Sequence, residues 1–212
     1  NFQYKFNTII PVKDSEIFYS VAGSSIISSD QIYTTKETDQ SIKDLDSLEF
    51  YDFIKVNKEK REITFSQGEW DINFDIKIPK DYSLIVNENT TLNLTNNASI
   101  VSYGPVNIVG SYSSPVVIKS SDLSGQGISI INANGTSKIS NTIFQGLNSF
   151  NKNGLNYTGS ITFFRSDANI SSVTFENIKS EDALNIIRSE VNIKNSIFKN
   201  IFSDAIDLDF SI

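Results

Sequence analysis

The sequence has no histidine, no cysteine and no methionine, and only one tryptophan and four prolines in 212 residues. Without histidine, Ser-His-Asp and Cys-His catalysis, ordinary zinc sites and imidazole acid–base chemistry are excluded. Without cysteine there are no disulfides and no thiol chemistry. That absence does not locate the protein, because disulfide-free repeat proteins occur on both sides of a membrane. Without methionine, Asn1 is not a translation start, so the chain reads as processed or as a fragment, with any signal peptide already gone. No apolar run reaches membrane length, so no membrane span is expected in this chain. The formal net charge of −7 and a pI near 4.6 leave no basic footprint, so nucleic acid is not an expected partner.

What is present is a regular step. Ile161-Thr162-Phe163-Phe164, Leu184-Asn185-Ile186-Ile187 and Ile206-Asp207-Leu208-Asp209 share one pattern, at successive intervals of 23 and 22 residues. Ile170 and Ile193, like Phe175 and Phe198, keep the 23-residue interval, and Arg165-Ser166 returns as Arg188-Ser189. A step of this size means stacked supersecondary units rather than one globular core. Ile161/Phe163, Leu184/Ile186 and Ile206/Leu208 fall on one face, with Thr162, Asn185 and Asp207 on the other, the period of a half-buried strand. A unit holds about three such runs, for example Leu184–Ile187, Val191–Ile193 and Ile197–Phe198, punctuated by Asn, Ser, Asp and Lys that bend the chain. Three strands and three bends in 22–23 residues make one coil, and successive coils pair in parallel about 4.8 Å apart. The fold class expected is therefore all-β, a parallel β-helix, or solenoid. A leucine-rich repeat would need Leu at fixed positions and a helical return segment. Here the apolar residues are mostly Ile, Val and Phe, and no segment after Gly159 has helical spacing.

Along the chain, residues 1–62 lack the step and are read as an N-terminal cap or linker segment. Ile42, Leu45, Leu48, Phe53 and Ile54 approximate a helical stripe opened by Thr38-Asp39. A short amphipathic helix near 41–55 covering the first coil is one reading; a linker, or the tail of a preceding domain, is the other. Residues 63–212 are read as about six coils, with Ile130, Phe163, Ile186 and Leu208 in one interior column. Trp70 is read as a core or capping anchor, with ligand stacking as the alternative. Ile128 to Ile161 spans 33 residues, ten more than the regular step, because of a two-residue insertion and an eight-residue one. The longer insertion, Asn148 to Thr158, is expected to protrude, to be more mobile than the coils, and to offer Phe150 and Tyr157 to a ligand. The sequence stops one strand into a coil, so the β-helix reads as truncated at its C-terminal end. Further coils or domains of the same polypeptide are the expected partners.

Several stretches carry a resemblance: Gln67-Gly68-Glu69-Trp70, Ser102-Tyr103-Gly104-Pro105, Gly125-Gln126-Gly127, Gly159-Ser160-Ile161-Thr162-Phe163-Phe164, and above all Ser180-Glu181-Asp182-Ala183-Leu184-Asn185-Ile186-Ile187-Arg188-Ser189. Over roughly 63–212 the chain resembles the right-handed parallel β-helix segment of large bacterial surface or secreted proteins, several of which also carry a CotH-like, kinase-fold module. The resemblance implies a pectate-lyase-like superhelix and an extracytoplasmic setting. It implies no activity, and no kinase motif is present here to carry one over.

The densest acidic patch of the regular part joins Asp182 and Asp204, which head equivalent strands, to Asp207, Asp209 and Glu181, with Arg188 close by. One reading is a Ca²⁺ site or a carboxylate pair beside an Arg, the equipment of β-helical lyases and hydrolases. The other is that Asp182 and Asp204 accept backbone N–H bonds at bends and Arg188 pairs with a carboxylate. Asn-Thr-Asp, Asp-Asp and Gly-His-Gly runs of the polygalacturonase kind are missing. The expectation is thus no catalytic residue, no metal ligand and no cofactor, Ca²⁺ being the one candidate. The function expected is a non-catalytic structural or adhesive module of a cell-surface or secreted protein, with polysaccharide as its candidate ligand. The alternatives are a polysaccharide-processing lyase or hydrolase, and a phage tailspike segment, which would need a trimer.

Overall fold

The computed structural model describes the backbone of residues 16–19 and 28–31, and residues 45, 47–152 and 154–211 in full. Contacts divide the chain into Asn1–Gln40 and Ser41–Ile212. In the first unit β1 (Glu16–Tyr19) and β2 (Ser28–Gln31) pair antiparallel. The second unit is all-β and built on parallel sheets. It opens with β3 (Ile54–Asn57) antiparallel to β4 (Glu62–Phe65). From β4 onward every sheet pairing is parallel except for one small hairpin.

The strands come in threes. β4 is followed by β5 (Gly68–Ile72) and β6 (Ile76–Ile78). Then come β7 (Ser83–Asn87), β8 (Thr90–Leu94) and β9 (Ile100–Ser102), and after them β10 (Val106–Val109), β11 (Val116–Lys119) and β12 (Ile128–Ile131). β13 (Ser137–Gln145) fuses two positions, its first half pairing with β10 and its second with β11. The hairpin β14 (Phe150–Lys152) and β15 (Leu155–Tyr157) precedes β16 (Gly159–Phe164). β17 (Ala168–Glu176) again spans two positions and leads to β18 (Asp182–Ile187). β19 (Val191–Lys194), β20 (Ile197–Lys199) and β21 (Asp204–Asp209) complete the series. The third member of each set forms a six-stranded sheet, β6-β9-β12-β16-β18-β21. The first and second members form an 11-stranded sheet, bridged by β13 and β17.

The register follows the sequence interval. Ile161 lies opposite Leu184 and Leu184 opposite Ile206. Ile170 faces Ile193 and Phe175 faces Phe198. Alternation sends Leu84, Val86, Leu92, Leu94, Ile100 and Ile108 inward, all fully buried, and Phe144, Phe175 and Phe198 stack at 5.1 and 4.8 Å between ring centroids. Such offset stacks add to area burial.

The bends have their own regularity. Asn177 and Asn200, and Asn141, Ser172 and Asn195, all have positive φ, a region Asn enters more readily than other residues with a Cβ. Arg165, Arg188 and Phe210 hold the same conformation after the six-stranded sheet. The serine that follows each of these three makes a ladder. Ser166 N–H donates to Ser189 Oγ at 2.9 Å, and Ser189 N–H to Ser211 Oγ at 3.2 Å. Each hydroxyl in turn donates to a carbonyl two residues back. The sequence pair Arg-Ser is thus the visible part of a series whose third member is Phe210-Ser211.

The structure corrects two expectations. Residues 41–44 and 46 of the expected helix lie outside the described residues. Leu45, Ser47 and Leu48 are in a helical turn, closed by Glu49 N–H to the Leu45 carbonyl at 3.2 Å. The segment does not stay helical to 55, because Ile54 starts β3, whose bonds to β4 cover that strand's open edge. Leu45, Leu48 and Phe53 are buried in the common core. Phe53 stacks on Trp70 at 5.2 Å, and the Trp70 indole N–H donates to the Ser66 carbonyl at 2.8 Å, so the tryptophan anchors this end. The second correction concerns the column Ile130, Phe163, Ile186 and Leu208. Its members are register neighbours throughout. Leu208 is nevertheless 57% exposed, because no described strand lies beyond β21. Ile206 is exposed at that end for the same reason.

Candidate functional site

Register puts Asp182 opposite Asp204, Asn185 opposite Asp207 and Ile187 opposite Asp209. Asp182 is only 2% exposed, and its Oδ2 has no hydrogen-bond partner. Burial raises its pKa; the Thr158 hydroxyl beside it opposes that shift, and the charges of Asp207, Glu181 and Asp204 add to it. Asp204 and Asp209 are exposed, and Asp207 Oδ2 accepts from Asn185 Nδ2 at 3.0 Å. The structure therefore gathers Asp182, Asp204, Asp207 and Glu181. It does not bring Arg188 to them through any described ion pair: the Arg188 guanidinium lies over the Phe210 ring at 5.7 Å, just as Arg165 lies over Phe164 at 5.5 Å. Among the described residues no three carboxylates converge closely enough to hold a metal ion. The bend before β18 is tied by the Ser180 hydroxyl to the Asp182 carbonyl, a tie that leaves the Asp182 carboxylate out.

Asp182 makes stability depend on pH. Its carboxyl binds a proton more tightly when folded than when unfolded, so it lowers stability as pH rises from the ordinary value of 3.8 through the higher folded value. Asn has no proton to lose. Asp182→Asn should therefore be more stable than wild type at neutral pH, with the gain shrinking as the pH is lowered and absent below about 3.8. Urea denaturation of both proteins across a pH range of about 3 to 8 checks this; a gain independent of pH would show that charge is not its cause.

The insertion Asn148–Thr158 lies outside the parallel sheets, as β14 and β15. It does not stand free. Phe150 is 3% exposed, and Tyr157 bridges it to Phe164, at 6.0 and 6.2 Å between ring centroids. Asn151 N–H donates to Gln126 Oε1 at 3.1 Å, and Lys152 pairs with Asp75. Two aromatic side chains in a short polar insertion gain more by folding back onto Phe164 than by facing water. Phe150 thus has no surface for a ligand, and of the two aromatics only Tyr157, half buried, keeps one.

Folding back leaves a groove of about 410 Å³. Ser149, Asn151, Asn156 and Thr158 line it from the hairpin and its flanks, Asn97, Ser124, Gln126 and Asn148 from the neighbouring bends, and Glu181 completes the lining. Glu181 is its single charge. The bends are held by Asp122, which accepts from Asn96 N–H, Ser124 N–H and both the Ser124 and Ser120 hydroxyls at 2.8–2.9 Å. These bonds, the Asn96 and Ser124 N–H groups foremost, keep its carboxyl well below the usual range. Asn97 N–H adds a bond to Ser124 Oγ at 2.9 Å. Sequence reasoning found the insertion and Glu181 but not Asn97, Ser124 or Gln126. Their only signal was a run of Asn and Ser at bends, which recurs all along this chain. A larger recess, about 650 Å³, lies beside the β3–β4 turn and is lined by solvated residues such as Lys55, Lys58 and Glu59.

Beside the groove runs a second polar feature. Ser129, Thr162 and Asn185 are direct neighbours on β12, β16 and β18, at positions that alternate with the core. Such positions ordinarily face water, yet these three are 1%, 0% and 1% exposed. Ser129 Oγ, Thr162 Oγ1 and Asn185 Oδ1 have no hydrogen-bond partner.

Comparison with protein-family models, with curated proteins and with solved structures returns no match. The chemistry of the site itself is therefore what bears on its role.

Proposed function

We propose that residues 63–212 form a right-handed parallel β-helix serving as a non-catalytic structural or adhesive module of an extracytoplasmic protein, either cell-surface or secreted. The β-helix reading is supported by the three rows of parallel strands, by the 22–23-residue register between β16, β18 and β21, and by positive-φ bends at equivalent places. The setting rests on the resemblance of the Ser180–Ser189 stretch to bacterial surface and secreted β-helices. The observation that carries the non-catalytic reading is the fate of the charged groups. A lyase of this kind needs an Arg base beside clustered carboxylates, whereas Arg165 and Arg188 lie over phenylalanine rings. Asp182, the one carboxyl tuned upward among the described residues, is sealed from solvent.

That same tuning is what favours a catalytic reading, since a raised carboxyl pKa is common at active sites. The two readings separate in one experiment. Acidic polysaccharides are incubated with the protein and calcium while unsaturated product is followed, and calcium is titrated by calorimetry into wild type and Asp204→Asn. The expected result is no product and the same heat trace for both proteins. Product formation, together with calcium binding that Asp204→Asn abolishes, would replace the module by an enzyme.

A further inference from the structure

The row Ser129–Thr162–Asn185 presents an unmet requirement. Three polar side chains on an outer sheet face are sealed, each with an oxygen lacking a partner, and native structures hold few such groups. Their spacing explains why they do not satisfy one another. Neighbouring strands lie about 4.8 Å apart, a gap that the longer Asn185 side chain spans to Asp207 at 3.0 Å but that the short Ser129 and Thr162 hydroxyls leave open, with room for one bridging oxygen. Asp182 Oδ2, on the same strand as Asn185, is a fourth unpartnered acceptor.

The described contacts near this face come from the end of the insertion and from Gly159, the first residue of β16. Asp182 N–H donates to the Thr158 carbonyl at 3.2 Å. A Cβ placed on Gly159 would sit 2.7 Å from the Asn185 Cβ, so this point of the chain lies directly against Asn185. Tyr157 rests on Phe164, two residues along the outer face from Thr162. The hairpin strands also form one wall of the amide- and hydroxyl-lined groove, and Thr158 belongs both to that wall and to the surroundings of Asp182.

We propose that the hairpin β14–β15 roofs a binding site for a neutral oligosaccharide. The chain of sugars enters along the open groove. With the hairpin displaced, its hydroxyls bridge Ser129, Thr162, Asn185 and Asp182, and the Tyr157 ring flanks a sugar face. This rests on the adhesive reading above and supplies its ligand class. The chemistry selects the class in three ways. Paired hydroxyl and amide groups match sugar hydroxyls, which donate and accept together. A half-buried aromatic offers the apolar surface that a sugar face needs. The lone groove charge, Glu181, and the net charge of −7 disfavour acidic sugars. The strand spacing, close to the length of one pyranose unit, lets successive sugars run across successive strands. The Lys152–Asp75 ion pair is the latch, since it ties the hairpin to a residue 77 positions away in the chain.

The test uses the full chain and a panel of defined tetra- to hexasaccharides, neutral and uronic-acid-containing, titrated by calorimetry into wild type, Thr162→Val, Ser129→Ala and Lys152→Gln. At least one neutral member should bind and no acidic one should. Thr162→Val and Ser129→Ala should each weaken binding about tenfold or more, the order of one lost hydrogen bond in a sealed site. Both should also raise the unfolding midpoint by about 2–4 °C, because each deletes a buried group that lacks a partner. Lys152→Gln should speed association in stopped flow. Two variants read the same site, so the failure of one to fold leaves the other decisive. No binding by any neutral member, binding by acidic members alone, or binding that both hydroxyl deletions leave unchanged would each overturn the proposal. A lowered midpoint in both deletions would assign the row to ordered water instead. None of these outcomes changes the product yield in the lyase assay, so the site can fail while the non-catalytic module stands.

Discussion

Phe163→Ala is expected to lower the free energy of unfolding by about 3–5 kcal/mol, the cost of a large side chain lost from a sealed core. Phe163 is fully buried on β16, with Ile130 opposite it on one side and Ile186 on the other, both at most 1% exposed. Parallel strands fixed by their hydrogen-bond ladders cannot close the gap by moving one of them, so the cavity persists. Leu208→Ala is the control. Leu208 follows Ile186 in the same column, yet it is 57% exposed. Its truncation should cost less than about 1 kcal/mol, as at other surface positions. Urea denaturation of both variants checks the pair. Equal losses would mean that the column does not change from sealed to open between β18 and β21.

Gly127→Ala should be as damaging, at roughly 3–5 kcal/mol, for a different reason. A Cβ at this position would meet the Ser160 carbonyl oxygen at 1.8 Å and its carbon at 2.8 Å, and φ is +64°. The contact is backbone on backbone, between the start of β12 and the start of β16. No side-chain rotation relieves it, and the parallel pairing of Ile128 with Ile161 would have to shift. Gly154→Ala isolates the conformational part. Gly154 has φ +78° but nothing within 4 Å of the added Cβ, so only the left-handed backbone cost of about 1 kcal/mol applies. Thermal unfolding of the two variants should differ by several degrees. Similar midpoints would mean that backbone conformation, and not the close approach of two strands, is what Gly127 supplies.

The legible part of the site was its acidic residues, because a fixed interval in a repeat puts Asp182 beside Asp204 and Asn185 beside Asp207. Their roles were not legible. A carboxylate at a bend reads the same whether it is solvated, as Asp204 is, or sealed with one oxygen lacking a partner, as Asp182 is. Arg188 looked like a partner for acid; its left-handed backbone and the position of Phe210 turn it onto a ring. The groove was illegible as a site because its walls come from bends near 97, 124 and 148 and from a hairpin, each a common polar sequence alone.

The sequence by itself determined what depends on period and interval. Strand alternation is a two-residue property, so Ile161, Phe163, Leu184 and Ile186 had to face inward together. Neighbouring strands at a constant interval fix the register, and Asn at the bends fits the positive φ observed at Asn177 and Asn200. Only the tertiary structure decided what covers what. Ser129, Thr162 and Asn185 are outer-face positions by every local rule, and they are buried while Asp207, next in their row, is half exposed. Phe150 turns inward, and Leu208, with the pattern of a core residue, stays open. Burial depends on whether another segment passes over a position. At Asn185 the chain that reaches this face is Gly159, where β16 begins; at Asp182 it is Thr158, the end of an interruption that a rule built on the repeat does not describe.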